Sequence, residues 1–207
     1  MPRRRSILQP RFATFAEARY RPYVVAVGQV ALAWNDLYKV LAVFFIVLHG
    51  ETVPSDVPLA VWNSSKSDRA QREMLAAAAK TFLTLPDMLA LYPTGAADVK
   101  WLADRIGEVE EARNNAVHSP LAVEGRGQRI MVVPDTSTGH GRAKNLEVKM
   151  TKRELLAEFR LCRDTACVLR DHAWRMYATL CGEGPWPDRP QLPNRGGRSS
   201  PQQRHSR

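Results

Sequence analysis

Seven apolar residues between positions 27 and 48 recur at alternating steps of three and four, and this spacing restricts the fold more than any other feature. They are Val27, Val30, Trp34, Leu37, Leu41, Phe44 and Leu48. Such spacing places every member on one face of an α-helix with 3.6 residues per turn. We therefore predict a long helix with one buried side. We expect it to begin near Pro22, which a first turn tolerates, and to end near Gly50, where glycine readily adopts a left-handed cap.

Three further segments show the same helical pattern. They cover about residues 58–85, with a break at 63–67, about residues 97–118 and about residues 151–182, and a short helix is expected between Pro86 and Pro93. Pro120 ends the third segment because a proline disfavours helical geometry in the residue before it. Thr151, with Glu154 three residues later, has the spacing of a capping box and starts the fourth. Because each apolar face must be buried against another, we predict an all-α fold, an antiparallel four-helix bundle.

Residues 122–150 separate the third and fourth helices and are polar and rich in glycine. Two strand-like runs, 127–133 and 145–150, flank turn-forming residues, which predicts a loop or a small β-hairpin insertion. The last segment is rich in Pro, Gly and Arg and lacks apolar periodicity, so we expect it to be disordered. We thus predict a basic N-terminal segment (1–21), a helical domain (22–182) and a disordered basic tail (183–207).

The formal net charge of +9 lies mainly at the two ends of the chain. Residues 1–21 contain six arginines and one glutamate, and residues 183–207 contain five arginines and two acidic residues. Such ends suit loose contact with phosphate backbones and are also typical of solubilising tails. The three cysteines lack the C-x-x-C spacing, which favours free thiols in a reducing compartment. We therefore predict a cytoplasmic protein.

Residues 24–48 are apolar enough to raise the question of a membrane span. Asn35, Asp36 and Lys39 interrupt them, and the longest uninterrupted run, 40–48, is far shorter than the roughly 20 residues that cross a bilayer. No signal-peptide cleavage pattern follows the N-terminal arginines. We predict no stable membrane insertion, and a membrane-peripheral regulator that uses residues 40–48 and the N-terminal arginines stays an alternative.

Most catalytic signatures are absent from the sequence. It contains neither a Gly-x-Ser-x-Gly nucleophile elbow nor a phosphate-binding loop that ends in Gly-Lys-Ser/Thr. The five histidines are never three or four residues apart, so a helical zinc pair is not expected. Cys162 and Cys167 lie about 140° apart around a helix and do not converge on one ion. We therefore expect neither a metal ion nor a cofactor.

The end of the third predicted helix carries three side chains suited to phosphate chemistry, Arg113, Asn114 and His118. A guanidinium holds a phosphodiester through paired hydrogen bonds, an amide orients it, and an imidazole moves protons near neutral pH. The carboxyl end of a helix also favours the charged form of His118. These groups suffice for cleavage of RNA without a metal ion.

Helix geometry separates two of these groups. Arg113 and His118 lie about 140° apart around the helix axis, so they do not share one face. Either His118 turns toward Arg113 where the helix frays before Ser119 and Pro120, or the same segment of a second subunit completes the site across a twofold axis. We favour the second arrangement, because a homodimer brings two arginines and two histidines into one cleft.

The motif Arg113-Asn114-x-x-x-His118 resembles the Arg-x4-6-His motif of the HEPN superfamily. HEPN domains are all-α bundles, commonly dimeric, whose motif residues form a metal-independent endoribonuclease site, and many are toxins or phage-defence components. The resemblance implies that Arg113 binds the scissile phosphate, that His118 is the catalytic acid, base or stabiliser, and that Asn114 positions both. It also implies an RNA substrate with its 2′-hydroxyl as the nucleophile, and an antitoxin or a defence complex as a partner.

Residues 63–74 form a second candidate region. Ser67 can cap a helix whose first turns carry Arg69, Arg72 and Glu73. Arg69 and Arg72 are candidate substrate-binding residues that follow an RNA backbone beside the main site. The alternative is a plain capped helix with an Arg69–Glu73 ion pair at four-residue spacing.

Structural roles for the motif residues also stay open. Arg113 can pair with an acidic neighbour on its own helix, Glu110 or Asp104, and His118 can simply offset the helix dipole. The protein is then a non-catalytic helical interaction module that binds a protein partner or RNA.

Overall fold

The computed structural model describes residues 14–50, 53–118, 121–126, 129–134 and 155–194, and the side chains of 21–50, 53–114 and 155–194. The described helices and strands are, in chain order, α1 (Thr14–Val47), α2 (Asp56–Ser64), α3 (Asp68–Leu83), α4 (Pro86–Leu91), α5 (Gly95–His118), β1 (Leu121–Arg126), β2 (Arg129–Pro134) and α6 (Leu155–Leu180). Helices make up most of the described chain, which confirms the all-α prediction at this level.

Four long helices, α1, α3, α5 and α6, share one hydrophobic core. Its fully buried members include Leu37, Leu41 and Phe44 of α1, Leu75 and Leu83 of α3, Leu102 and Ile106 of α5, and Leu169 and Met176 of α6. Burying one such side chain contributes about 1.5–3 kcal/mol. The apolar periodicity of the sequence therefore identified the faces that hold these helices together.

Helix α5 runs antiparallel to α3, as predicted for neighbouring helices. Gly95 at the start of α5 lies against Leu83 at the end of α3. Further along α5, Gly107 lies beside Arg72, which is near the start of α3. The start of α5 thus lies beside the end of α3, and a later part of α5 lies beside the start of α3. The two helices therefore run in opposite directions.

Helices α1 and α6 run parallel, which corrects the antiparallel prediction for this pair. Arg163 donates a hydrogen bond to Gln29 at 2.8 Å, and further along both helices Val47 and Leu180 line the same groove. The physical reason is the break between α2 and α3. The short helix α2 returns the chain toward the middle of α1, where Trp34 contacts Asp68, the first residue of α3. One turn further along both helices Tyr38 contacts Arg72, so α3 also runs parallel to α1, which corrects the antiparallel prediction for that pair as well. Helix α5 then runs back, and α6 returns in the direction of α1.

Two helix starts illustrate local signals. Helix α1 begins at Thr14 and not near Pro22, so it extends into the predicted basic segment and continues through a proline. A proline inside a helix removes one backbone hydrogen bond, which a helix held by a packed face tolerates. Helix α3 begins as predicted after Ser67, whose hydroxyl accepts a hydrogen bond from the backbone nitrogen of Ala70 at 3.2 Å.

Two short antiparallel strands follow α5. Strand β1 pairs with β2 so that Leu121 lies opposite Pro134 and Arg126 opposite Arg129. The partner predicted for the second of these strands was a later segment, 145–150. The described partner precedes it instead, because a connection of two residues joins antiparallel strands most easily. Residues 145–150 and the predicted capping box at 151–154 lie outside the described residues.

The described part of the predicted tail, residues 183–194, packs on the helices, which corrects the prediction that it is disordered. The ring of Trp186 lies 5.2 Å from that of Tyr92, centre to centre, and its Nε1 donates a hydrogen bond to Asp98 at 3.0 Å. One half-buried aromatic side chain, whose polar atom is hydrogen-bonded, holds a segment that has no apolar periodicity. Residues 195–207 lie outside the described part of the chain.

Residues 21–47 of α1 are long and apolar enough to cross a membrane by length and composition. Core helices of soluble proteins meet the same criterion, and 39% of the most apolar window is buried in this fold. The criterion therefore does not distinguish a core helix from a membrane helix here.

Candidate functional site

Arg113 lies near the end of α5, and its guanidinium faces α1. Its Cζ lies 5.4 Å from the ring centre of Trp34, within the range of a cation–π interaction. Its Nη1 donates a hydrogen bond to Oδ1 of Asn114 at 2.7 Å and lies 3.9 Å from Oδ2 of Asp68. The side chain is 21% exposed. The guanidinium is thus held from several sides and still reachable from solvent.

The carboxylate of Asp68 orients Arg113 from α3. Its Oδ2 accepts a hydrogen bond from the indole Nε1 of Trp34 at 2.9 Å. Asp68 is also the first residue of α3, where the positive end of the helix dipole stabilises a negative charge. The indole and the helix end fix the carboxylate, and the carboxylate in turn holds the guanidinium above the indole ring.

A second arginine, Arg72, lies beside this arrangement and is more deeply buried. Its Nη1 donates to the hydroxyl of Tyr38 at 3.0 Å, and its Nη2 lies 2.6 Å from Oε2 of Glu110. The Tyr38 hydroxyl donates to the backbone oxygen of Asp68 at 3.2 Å, which links the two arginines. Burial raises the pKa of Tyr38. Burial alone would lower the pKa of Arg72, but its hydrogen bonds with Tyr38 and Glu110 outweigh this and raise it.

These side chains form one polar group inside the helices, which we call the arginine cluster. Its members are Trp34, Tyr38, Asp68, Arg72, Glu110, Arg113 and Asn114. Two guanidinium groups face two carboxylates, so the formal charges balance. The buried Nε of Arg113 nevertheless has no hydrogen-bond acceptor among the described residues. Buried donors without an acceptor are rare in folded proteins, and catalytic or ligand-binding roles are among their causes.

His118 is the last residue of α5, and the helix is continuous from Arg113 to His118. Within one continuous helix the two positions remain about 140° apart. The side chain of His118 lies outside the side chains that the structure describes, as does any fraying at Ser119. The predicted pair is therefore placed by its backbone alone.

The acidic neighbours expected for Arg113 on its own helix pair with other residues. Glu110 binds the arginine of α3, and Asp104 lies 2.7 Å from Lys100. Among the ion pairs of the described side chains, Arg113 pairs instead with Asp68 of α3, at 3.9 Å. The prediction that Arg113 forms an ion pair with Glu110 or Asp104 of its own helix is therefore wrong.

The two predicted substrate-binding arginines have different environments. The side chain of Arg69 is 78% exposed, and its Nε lies 2.8 Å from Oε1 of Glu73, as the plain capped helix predicted. The side chain of Arg72 is only 10% exposed and its guanidinium belongs to the arginine cluster. Burial conflicts with the predicted contact between Arg72 and RNA, whereas Arg69 is accessible.

Trp34, Tyr38 and Asp68 are members of the site that were not predicted from the sequence. They belong to α1 and α3, and no spacing along the chain links them to α5. One signal was present, because Arg72 lies three residues before Leu75 and so falls on the apolar face of α3. A charged residue on an apolar face requires a buried partner.

Among the side chains that the structure describes, no group of three His, Cys, Asp or Glu residues is arranged to hold a metal ion. Comparisons with protein-family models, with curated proteins and with solved structures found no match. A functional assignment therefore depends on the residues and the geometry of the site itself.

Proposed function

We propose that this protein is a cytoplasmic, metal-independent endoribonuclease in which Arg113 and His118 act on RNA, with its long helices forming a HEPN-like bundle. One observation carries the proposal. Trp34 and Asp68, from two other helices, orient the guanidinium of Arg113 while leaving it one-fifth exposed. A guanidinium that is already ordered binds a phosphate with little further loss of side-chain entropy.

The proposed roles follow from the chemistry of each group. Arg113 neutralises the charge that develops on the phosphodiester, and Asn114, hydrogen-bonded to it, keeps its orientation. The ribose 2′-oxygen attacks the phosphorus, and the bond to the 5′-oxygen breaks. His118 takes part in moving the proton from the 2′-hydroxyl to the departing 5′-oxygen. The products are a 2′,3′-cyclic phosphate and a free 5′-hydroxyl.

The proposal includes a homodimer and an antitoxin or defence complex as a partner. The dimer interface bears on the chemistry, because the continuous α5 keeps Arg113 and His118 of one chain about 140° apart around its axis. Either the partner subunit supplies the histidine, or His118 turns toward Arg113 where the helix ends. Which chain supplies His118 to a given Arg113 depends on the surface through which two copies associate.

Cleavage of RNA by the purified protein in excess EDTA tests the proposal. We expect cyclic phosphate ends, and a rate at least about 100-fold lower for Arg113→Ala and for His118→Ala. The control is Arg170→Ala, which removes an arginine of α6 paired with Asp171 and should leave the rate unchanged. Motif variants that remain folded and cleave as fast as the wild type would refute the proposal.

The alternative, a non-catalytic interaction module, is favoured by one feature of α1. Val24, Val25 and Leu32 are exposed aliphatic side chains close to one another on its surface. Contiguous exposed apolar residues are typical of surfaces that bind other proteins. Absence of RNA cleavage by the wild type, together with binding of a partner that Leu32→Glu abolishes, would establish this alternative.

A further inference from the structure

Helix α1 carries a short apolar row on the side that faces away from the core. Val24 and Leu32 are both 66% exposed, and Gly28 lies midway between them, four residues from each. A Cβ at Gly28 would have no heavy atom within 4 Å. We call Val24, Gly28 and Leu32 the outer row, because residues four apart lie on nearly the same side of a helix.

Exposure of the apolar side chains of the outer row to water costs free energy. Each exposed aliphatic side chain forgoes about 1.5–3 kcal/mol that burial would contribute. Val25, which is 49% exposed, widens the apolar surface on one side. In the part of the chain that the structure describes, the helices packed on α1 lie on its opposite side, so the described residues leave the outer row uncovered.

We propose that the outer row binds the outer row of a second copy, with the two α1 helices crossing antiparallel at Gly28. Twofold symmetry then sets Val24 against Leu32 of the partner subunit, and the reverse. Both contacts are equivalent because the row is symmetric about its centre. A glycine at the crossing point has no side chain, which allows the two backbones to approach closely.

The flanking residues fit the antiparallel direction. Arg21 lies seven residues before Gly28, and Asn35 lies seven residues after it, so the crossing sets Arg21 beside Asn35 and Asp36 of the partner subunit. Arg21 and Asn35 are exposed, and the Asp36 side chain is 47% exposed. A parallel crossing would set two Arg21 side chains together, and like charges are unfavourable in an interface.

A second copy fits the row better than a lipid surface. The apolar row covers only nine residues, from Val24 to Leu32, or about 12 Å of helix, whereas a bilayer core needs about 30 Å. Asn35 and Lys39 continue the same side of α1 and are exposed polar residues. A partner must therefore be apolar over a short length and polar beyond it, as the same row of a second copy is.

This dimer has a consequence that depends on the proposed function. Trp34, against which Arg113 stacks, points about 120° away from Gly28 around α1. Both α1 helices, each about 10 Å across, then separate the two α5 helices. If Arg113 and His118 are the catalytic pair, they act within one chain, contrary to the shared site favoured from the sequence. His118 then has to turn toward Arg113 at the end of α5, which is the other arrangement that the sequence left open.

Disulfide cross-linking of full-length protein tests the crossing. In a Cys181→Ser background, which removes the exposed native thiol, Gly28→Cys should form disulfide dimers on mild oxidation. The matched control is Lys39→Cys, exposed on the same helix. It lies eleven residues, about 16 Å, from the crossing, too far for a bond that needs Cα atoms within about 7 Å. No cross-link at position 28, or equal cross-linking at both positions, would overturn the proposal.

Sedimentation equilibrium tests whether the row holds the dimer. We expect the wild type to be a dimer at micromolar concentration and Leu32→Glu to be a monomer. Val43→Glu, on the same helix but outside the row, should remain a dimer. A monomeric wild type would overturn the proposal, and so would a dimeric Leu32→Glu. Flotation of a monomeric wild type with phosphatidylserine vesicles would identify a lipid surface as the occupant instead.

Mixed variants separate this inference from the proposed function. An equal mixture of Arg113→Ala and His118→Ala chains should stay inactive, because each site lies within one chain. Recovered cleavage would overturn the crossing at Gly28 and support the ribonuclease. If the wild type is a dimer by sedimentation and Gly28→Cys forms the cross-link, but the wild type cleaves no RNA, the ribonuclease is refuted and the dimer is established.

Discussion

The two ends of α5 hold opposite kinds of charged site. Near its start, Asp98 accepts hydrogen bonds from Thr94 at 2.6 Å, Trp186 at 3.0 Å and Arg189 at 2.6 Å. Near its end, Arg113 donates one hydrogen bond at 2.7 Å to its neighbour and keeps a buried Nε with no described acceptor. The three hydrogen bonds of Asp98 use its carboxylate to hold the fold, whereas Arg113 keeps a donor without a described acceptor, as does Arg105 on the same helix.

The three hydrogen bonds that Asp98 accepts determine its charge state. Its side chain is 8% exposed, and burial alone would raise its pKa. The hydrogen bonds from Thr94, Arg189 and Trp186 outweigh burial and lower the pKa. The carboxylate is therefore charged at neutral pH and ties residues 183–194 to α5.

The largest expected effect is the loss of this carboxylate. Asp98→Ala leaves the indole of Trp186 and the guanidinium of Arg189 without their acceptor, and we expect the free energy of unfolding to fall by about 3 kcal/mol. Arg113→Ala should cost only about 1 kcal/mol, because Asp68 keeps its hydrogen bond from the indole. Urea unfolding followed by circular dichroism measures both.

A matched control for Asp98 exists on the same helix. Asp104 forms an exposed pair with Lys100, so Asp104→Ala should leave the stability unchanged within error. If Asp98→Ala and Arg113→Ala destabilise equally, the two ends of α5 do not differ in the way proposed.

A buried histidine near Asp98, His172, does not follow this pattern, because its polar atoms have no hydrogen-bond partner among the described residues. His172 is 1% exposed. Burial, with Arg175 nearby, lowers its pKa to about 4. The unfolded state binds a proton near pH 6.5, so stability is full above that pH and falls as the pH drops toward 4. The loss between pH 7 and pH 5 should be about 2 kcal/mol.

Replacing the ring isolates this effect. His172→Leu should remove the loss between pH 7 and pH 5, as measured by urea unfolding at both values. The control His49→Leu, which removes a ring hydrogen-bonded to the backbone oxygen of Phe45, should keep it. A wild type equally stable at both pH values would show that His172 accepts a proton without cost. Asp98 does not interfere, because its hydrogen bonds lower its pKa and so move its titration further from this pH range.

Features that depend on neighbouring residues could be predicted from the sequence, whereas both charged sites of α5 depend on residues far apart in the chain. Apolar spacing and the cap at Ser67 are local, so the main helices were predictable from neighbouring residues. The contacts of Trp186 with Asp98 and of Trp34 with Asp68 join residues 88 and 34 positions apart, and no spacing encodes them. Asp98 lies next to Val99 on the buried side of α5, which signals a buried carboxylate but does not identify its partner.

The smallest expected effect on stability concerns Arg69, on the exposed side of α3. Its ion pair with Glu73 is open to solvent, so Arg69→Ala should leave the free energy of unfolding unchanged. If Arg69 contacts an RNA backbone, its loss should weaken RNA binding and reduce the salt dependence by about one ion. Affinity measured at several salt concentrations separates the two roles. Arg72→Ala should instead destabilise the fold, because Glu110 then stays buried without its partner, so only Arg69 can lose RNA affinity with the fold intact.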